Sequence, residues 1–378
     1  MNNILMVDLG KQYQKIKSEI DDVILNCIES NNFINGPEVK IFEESLSLYL
    51  NVKHVIACAN GTDALQIAMM ALGLKPGDEV ICPAFTYIAT VEVIALLGLV
   101  PVLISVDPDT FNLDSNSIES KITSRTRAIV PVHLYGQTCQ METIMNLANK
   151  YNLFVIEDNA QSLGSSFQFS NGLIKKAGTI GHIGTTSFFP SKVLGCFGDG
   201  GALFTDSDEI AEKIRMISNH GQNKKYYHKL IGCNSRLDTI QAAILIIKLK
   251  YLNHYIDSRQ NMAKYYDDEL LNVSGIALPT ISNFTTHVFH QYTIKVYHNK
   301  RDSLKNYLLK HGIPTMVYYP LPVYKQEAFI SYFSEDFKIQ SVEKLSEEVL
   351  SLPIHTEQNL EEQIYICDVI KKYFEIHG

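Results

Sequence analysis

From His54 onward the chain alternates short β-branched runs with stretches whose apolar residues recur every three or four positions, the pattern of strands and the helices that cover them. His54 to Cys58 predicts a strand. Leu65, Ala68, Met69 and Leu72 share one face of a helix predicted over Thr62 to Leu72, ended by Gly73, and Pro76-Gly77-Asp78 makes the next turn. Glu79 to Cys82 returns as a strand, and Thr86 is the expected N-cap of a helix reaching about Leu97. Arg127 to Val132, Leu153 to Glu157 and Ala202 to Thr205 read as further buried strands. The polar, glycine-rich region between the last two is too irregular for a simple helical crossover. Strands alternating with helices imply an α/β fold built on a mostly parallel sheet.

The character changes after a long helix expected from about Leu237 to Tyr255. Helices near 258–271, 301–311 and 357–374, with short strands between them, predict a smaller α+β unit. The division is therefore placed near 255, giving a large unit over 1–255 and a small one over 256–378, a size the chain length allows. No Pro/Gly/Ser linker separates them, so they are expected to pack closely.

Composition narrows the function without naming it. With 46% hydrophobic and 20% charged residues the chain is an ordinary globular one, and its formal charge of −8, with Lys and Arg scattered, argues against nucleic acid as a partner. A nucleotide-linked ligand needs only a few placed donors and stays open. The seven cysteines are odd in number and form no CxxC pair, which points to buried thiols and to neither a disulfide framework nor a metal site. The opening MNNILMVDLGKQYQ lacks the apolar core of a signal peptide, and Val93 to Ser105 is too short, and broken by Pro101, to span a bilayer. A cytoplasmic protein is expected.

Ligands of parallel sheets collect at the carboxyl ends of the strands, and three polar clusters fall there. Asn60-Gly61-Thr62-Asp63 lies between a strand and a helix, where free N–H groups and the helix dipole favour a phosphate. Glu157-Asp158-Asn159-Ala160-Gln161 follows a strand and offers a carboxylate. Ser187-Phe188-Phe189-Pro190-Ser191-Lys192 leads into Gly195, Gly198, Gly200 and Gly201 and offers a lysine outside any regular surface helix. Each has an ordinary structural alternative: a capped turn for the first two, a solvated charge for the third. Together, lysine, aspartate and a phosphate cradle are the set that pyridoxal phosphate requires. A carboxylate ~4 Å from the ring nitrogen attracts its positive charge by about 4 kcal/mol at an effective dielectric near ~20, enough to keep that nitrogen protonated near neutral pH. Tyr87, at another strand end, is the aromatic best placed to stack on a flat ring. A nicotinamide enzyme would need a GxGxxG after an early strand, whereas the glycine-rich run here precedes one.

The runs GTDAL (61–65), PAFTYIAT (83–90), VHLYGQ (132–137), EDNAQSLGSS (157–166), TSFFPSKVLGCFGDGGALFT (186–205) and NSRLDTIQAAIL (234–245) resemble the sugar-nucleotide aminotransferases of the DegT/StrS family. GIPTMVYYPLP (312–322) and SLPIH (351–355) extend the resemblance into the small unit. It implies a pyridoxal-phosphate-dependent transferase of the aspartate-aminotransferase-like fold, type I, with a smaller C-terminal domain. The branch it most resembles aminates UDP-2-acetamido-2-deoxy-3-oxo-D-glucuronate for bacterial surface polysaccharides, with L-glutamate as donor. Carried over by motif, Lys192 binds the cofactor covalently, Asp158 partners the ring nitrogen, Gln161 faces the ring hydroxyl and Tyr87 stacks. Gly61, Thr62 and Ser187 bind the phosphate, joined across a homodimer by Asn234, and Arg236 reaches the same neighbouring site. Phe189, Tyr318 and Tyr319 face the substrate. Related dehydratases carry histidine in place of Lys192. Tyr318 departs from the family pattern, where the nearest relatives have His-Tyr-Pro, which leaves a 3-oxo or 4-oxo 6-deoxy sugar nucleotide as the alternative substrate.

Overall fold

The computed structural model describes residues 4–377. Its centre is a seven-stranded sheet with Val100–Ile104 at one edge, then Glu79–Pro83, Thr126–Ile129, Phe154–Asp158, Ile183–Ser187 and Gly201–Thr205, and His54–Cys58 at the other edge. The pairings from Val100–Ile104 to Ile183–Ser187 are parallel, and Gly201–Thr205 runs antiparallel to both its neighbours. Helices cover both faces, which is why Glu79–Pro83 is buried at every position and is apolar after Glu79, whose carboxylate pairs with Arg125. No helix connects Phe154–Asp158 to Ile183–Ser187; a small antiparallel hairpin, Ser166–Gln168 with Ile174–Lys176, fills that irregular stretch.

Three expected elements are corrected. The strand expected over Arg127 to Val132 is Thr126–Ile129, because Pro131 has no N–H to continue the ladder; Val132 rejoins the sheet through a single bridge to Asp158. The helix expected to be capped by Thr86 begins at Ala89, without a side-chain cap, because Ala84 and Phe85 are first drawn into the core. The long helix expected from Leu237 to Tyr255 is two helices, Thr239–Lys250 and Leu252–Leu270, meeting at Tyr251.

The second of these helices passes from one core to another. Leu252 and Ile256 pack with Phe204 and Leu245 beside the large sheet, whereas Met262, Ala263, Tyr266 and Leu270 pack with Tyr292 and Ile294 of a smaller sheet. Residue 255 thus lies inside an unbroken helix. The small sheet is antiparallel, in the order Ile276–Ala277, Tyr292–Val296 and Val349–Leu352, and Arg301–Lys310 and Leu360–His377 pack against it. Ile4 joins its core while Met6 and Val7 reach a cavity lined from both sheets. Six of the seven cysteines are buried.

Candidate active site

Gly61 and Thr62 open the helix Gly61–Ala71, whose cap Asn60 accepts from Asp63 N at 2.8 Å through its side chain and from Ala64 N at 3.1 Å through its carbonyl. The N–H groups of Gly61 and Thr62 have no partner among the described residues, so the positive end of the helix is open toward the cavity. Ser187 ends its strand beside them. A Cβ at Gly61 would lie 2.7 Å from that of Ser187, so only glycine lets the two segments close into one cradle.

Asp158 ends the strand Phe154–Asp158 with its Oδ2 accepting from Thr90 Oγ1 at 2.7 Å and its Oδ1 from Ala160 N at 3.2 Å. Its neighbour Glu157 points to the opposite face, as strand alternation requires. There it accepts from His133 Nε2 at 2.8 Å, Gly178 N at 2.9 Å, and Ile180 N and Gly181 N at 2.6 Å each. Cys139 N donates to His133 Nδ1, so the ring proton sits on Nε2 and faces the carboxylate. Burial alone would raise the pKa of Glu157, but the His133 contact and the backbone N–H groups hold it below the usual carboxylate value.

Lys192 stands in a tight turn, its N–H bonded to Phe189 O at 2.8 Å. That turn closes because Gly195 presses on it: a Cβ there would lie 2.4 Å from Pro190 O. Burial lowers the lysine's pKa from 10.5 to about 8, against the charge of Asp158, which raises it. Gln161 is fixed from both ends, accepting from Tyr135 N at 2.8 Å and donating to Tyr319 OH at 3.1 Å. Tyr135 OH in turn donates to Tyr318 O, tying the small unit to the strand ends.

These groups share one cavity of about 820 Å³. Gly61, Thr62, Ser187, Asp158, Gln161 and Lys192 line it from the large sheet, with Tyr87 and Phe189 at its exposed rim; Tyr318 and Tyr319 close it from the small unit. The rings of Tyr87 and Tyr319 are 6.1 Å apart. Asn234 and Arg236 are not brought in: Asn234 bridges Asn219, and Arg236 lines a separate cavity of about 400 Å³ with Glu43 and Arg215. Sequence reasoning missed Thr90, the Glu157–His133 pair, and His290 and Gln291, which also line the main cavity.

The chain belongs to the DegT/DnrJ/EryC1/StrS aminotransferase family, whose model matches residues 14–371. It is 46% identical over 352 residues, 93% of this chain and 95% of the other, to the UDP-2-acetamido-2-deoxy-3-oxo-D-glucuronate aminotransferase of Pseudomonas aeruginosa. It is 44% identical over 374 residues, 98% of this chain and 99% of the other, to a pleiotropic regulatory protein of Geobacillus stearothermophilus. NtdA from Bacillus subtilis, solved with bound cofactor PMP, superposes with a TM-score of 0.89 at 34% identity, covering 98% of this chain and 83% of that one. Aminotransferases of this family depend on pyridoxal phosphate. The residues that line the cavity fit that group: open N–H groups and a hydroxyl could take a phosphate, a carboxylate held by Thr90 could face a ring nitrogen, and a lysine of lowered pKa could take an aldehyde. Among the described residues no helix is long and apolar enough to cross a membrane.

Proposed function

We propose that this aminotransferase moves the amino group of L-glutamate to the keto carbon of UDP-2-acetamido-2-deoxy-3-oxo-D-glucuronate, in the cytoplasm, for bacterial surface polysaccharide synthesis. The observation that carries the reading is the convergence of Lys192, Asp158 and the Gly61–Thr62–Ser187 cradle on one cavity, in a chain 46% identical to a relative bearing that activity in its name. Over the cycle glutamate leaves as 2-oxoglutarate and the sugar's carbonyl oxygen is exchanged for an amino group, so no outside oxidant or reductant is consumed. Bound pyridoxal phosphate supplies the electron sink and carries the amino group between the substrates.

Lys192 would hold the cofactor and move a proton at the substrate carbon; the burial that lowers its pKa to about 8 in the cofactor-free chain favours an Nζ that can give as well as take a proton. Asp158, oriented by Thr90, keeps the ring nitrogen protonated. Gln161 faces the ring hydroxyl, Tyr87 stacks on the ring, and Phe189, Tyr318 and Tyr319 face the sugar. The active unit in this reading is a homodimer with shared sites. Asn234 and Arg236 lie outside the cavity of their own chain, which suits the roles the family resemblance implies, Asn234 completing a phosphate cradle and Arg236 meeting the sugar carboxylate in the neighbouring copy. Tyr318 favours a second reading, a 3-oxo or 4-oxo 6-deoxy sugar nucleotide.

The test is turnover with glutamate and each keto sugar, run with wild-type protein and with a mixture of two inactive chains, Lys192→Ala and Asn234→Ala. The uronate should be the preferred substrate, and the mixture should regain activity because one site of each mixed dimer is intact. Preference for a 6-deoxy sugar overturns the substrate, and no recovery after proven subunit exchange overturns the sharing.

A further inference from the structure

Three polar atoms of residues on the cavity wall are enclosed without a hydrogen-bond partner: Thr86 Oγ1, His290 Nδ1 and Gln291 Oε1. Native structures seldom leave such atoms unpaired, and three on one wall set this side of the cavity apart. They are not equivalent. Gln291 presents an oxygen, which repels an anion, and Thr86 is a neutral hydroxyl at the foot of Tyr87.

His290 differs in its surroundings. It is 9% exposed and lines the same cavity as Lys192. Arg259 Nη1 donates to Phe289 O at 3.0 Å, Ile354 O at 3.0 Å and His290 O at 3.4 Å, so a guanidinium is fixed on the backbone that carries the imidazole. Arg259 is 4% exposed, and its hydrogen bonds among the described residues go to carbonyls and to no carboxylate. Burial, then the charges of Lys192 and Arg259, hold the ring neutral. Arg259, which has no carboxylate partner among the described residues, leaves a positive charge near a ring that has an N–H to offer.

We infer that His290 is the subsite for the α-carboxylate of the amino-acid donor. That carboxylate shares a carbon with the amino group that reacts beside Lys192, so it must come to rest next to that lysine. Among the described residues lining the cavity, Lys192 is the only cation and Asp158 and Asp199 are the acids; no arginine is present. Lys192 is committed to the cofactor and the partner's Arg236 is read as meeting the sugar's carboxylate, so within this chain a carboxylate beside Lys192 is left to a neutral donor with a positive charge nearby. His290, with Arg259 bonded to its backbone, supplies both. The inference rests on the reading that the donor is an α-amino acid.

The experiment follows the cofactor's absorbance in the cofactor-loaded protein during the donor half-reaction, with L-glutamate and with L-isoglutamine, its α-carboxamide. Wild type should prefer glutamate. His290→Leu should weaken apparent glutamate affinity by roughly tenfold to a hundredfold, the range of a lost charge-assisted hydrogen bond, and erase that preference. Calorimetric titration with glutarate, which cannot react, should weaken in step, while the half-reaction from the amino-sugar side is unchanged. His290→Asn retains an N–H and should recover part of the loss; it also decides the matter if the leucine variant fails to take up cofactor. Unchanged glutamate affinity in either variant, or equal losses toward glutamate and sugar, overturns the assignment. A wild-type protein that ignores glutamate but accepts an amine without a carboxylate overturns the donor reading instead.

Discussion

Glu157 and Asp158 are consecutive carboxylates on one strand, and they put the same chemistry to opposite uses on the two faces of the sheet. Glu157 is fully buried and takes four hydrogen bonds, three from the backbone of 178–181 and one from His133. Asp158 takes two, from Thr90 and Ala160, and lines the cavity. A carboxylate with all its lone pairs engaged welds segments together; one held from behind with capacity to spare is ready for a ligand. The first also positions the second. His133 N donates to Asp158 O at 3.0 Å, and the turn pinned by Glu157 leads into the strand that ends at Ser187.

The contrast predicts that removing a cavity group costs function and spares the fold, most sharply at Lys192. Lys192→Ala should lower turnover by at least about 10⁴-fold, since both covalent and proton-transfer roles are lost. The cofactor-free variant should be no less stable than wild type. With a folded pKa of about 8 against an ordinary lysine value of 10.5, the unfolded chain binds more protons between those values, so wild type gains stability as pH rises through that window. The variant should lack that gain. Urea unfolding of the cofactor-free proteins across the window checks both, and a variant much weaker than wild type would place Lys192 with Glu157 on the structural side.

The opposite outcome is expected at Glu157. Glu157→Gln sets an amide N–H against backbone donors and breaks the buried contact with His133, which should cost about 3–5 kcal/mol in unfolding free energy. Turnover per folded molecule should fall far less than in Lys192→Ala. Unaltered stability with lost activity would erase the distinction between the two faces.

Only one side of that distinction is legible in the sequence. Lys192, Asp158 and Gly61–Thr62 stand out because a lysine beside a glycine turn, a carboxylate after an apolar run and a polar helix start contrast with their surroundings. Glu157 and His133 are 24 residues apart and become partners only when their strand ends are side by side. His290 follows His287 at the entrance to a buried strand, and nothing in the sequence sets it beside Arg259, 31 residues away on the helix Leu252–Leu270. The helix break at Tyr251 carries no glycine or proline, and Leu249 and Leu252 on its two sides pack in the same core. Thr86 has the chemistry of a cap, but burial of Phe85 places it elsewhere.

The smallest expected effect lies at Thr90, which touches the cavity's carboxylate without belonging to the weld behind it. Thr90 is fully buried, and its hydroxyl gives Asp158 Oδ2 one hydrogen bond at 2.7 Å. Thr90→Val keeps the side chain's shape and removes the hydroxyl, leaving Ala160 N as the remaining donor to that carboxylate. A hydrogen bond to a charged group is worth about 1.5–3 kcal/mol, but Asp158 would still hold its ring-nitrogen partner, so a loss near the lower limit, roughly tenfold in turnover, is expected. The absorbance of the bound cofactor should titrate at lower pH than in wild type, because a carboxylate freer to turn away holds the ring nitrogen's proton less firmly. Stability should change little, since methyl replaces hydroxyl in an apolar helix start beside Ala89 and Val91. A large drop in stability with an unaltered cofactor titration would mean that Thr90 supports the fold, and that Asp158 is oriented by its own backbone.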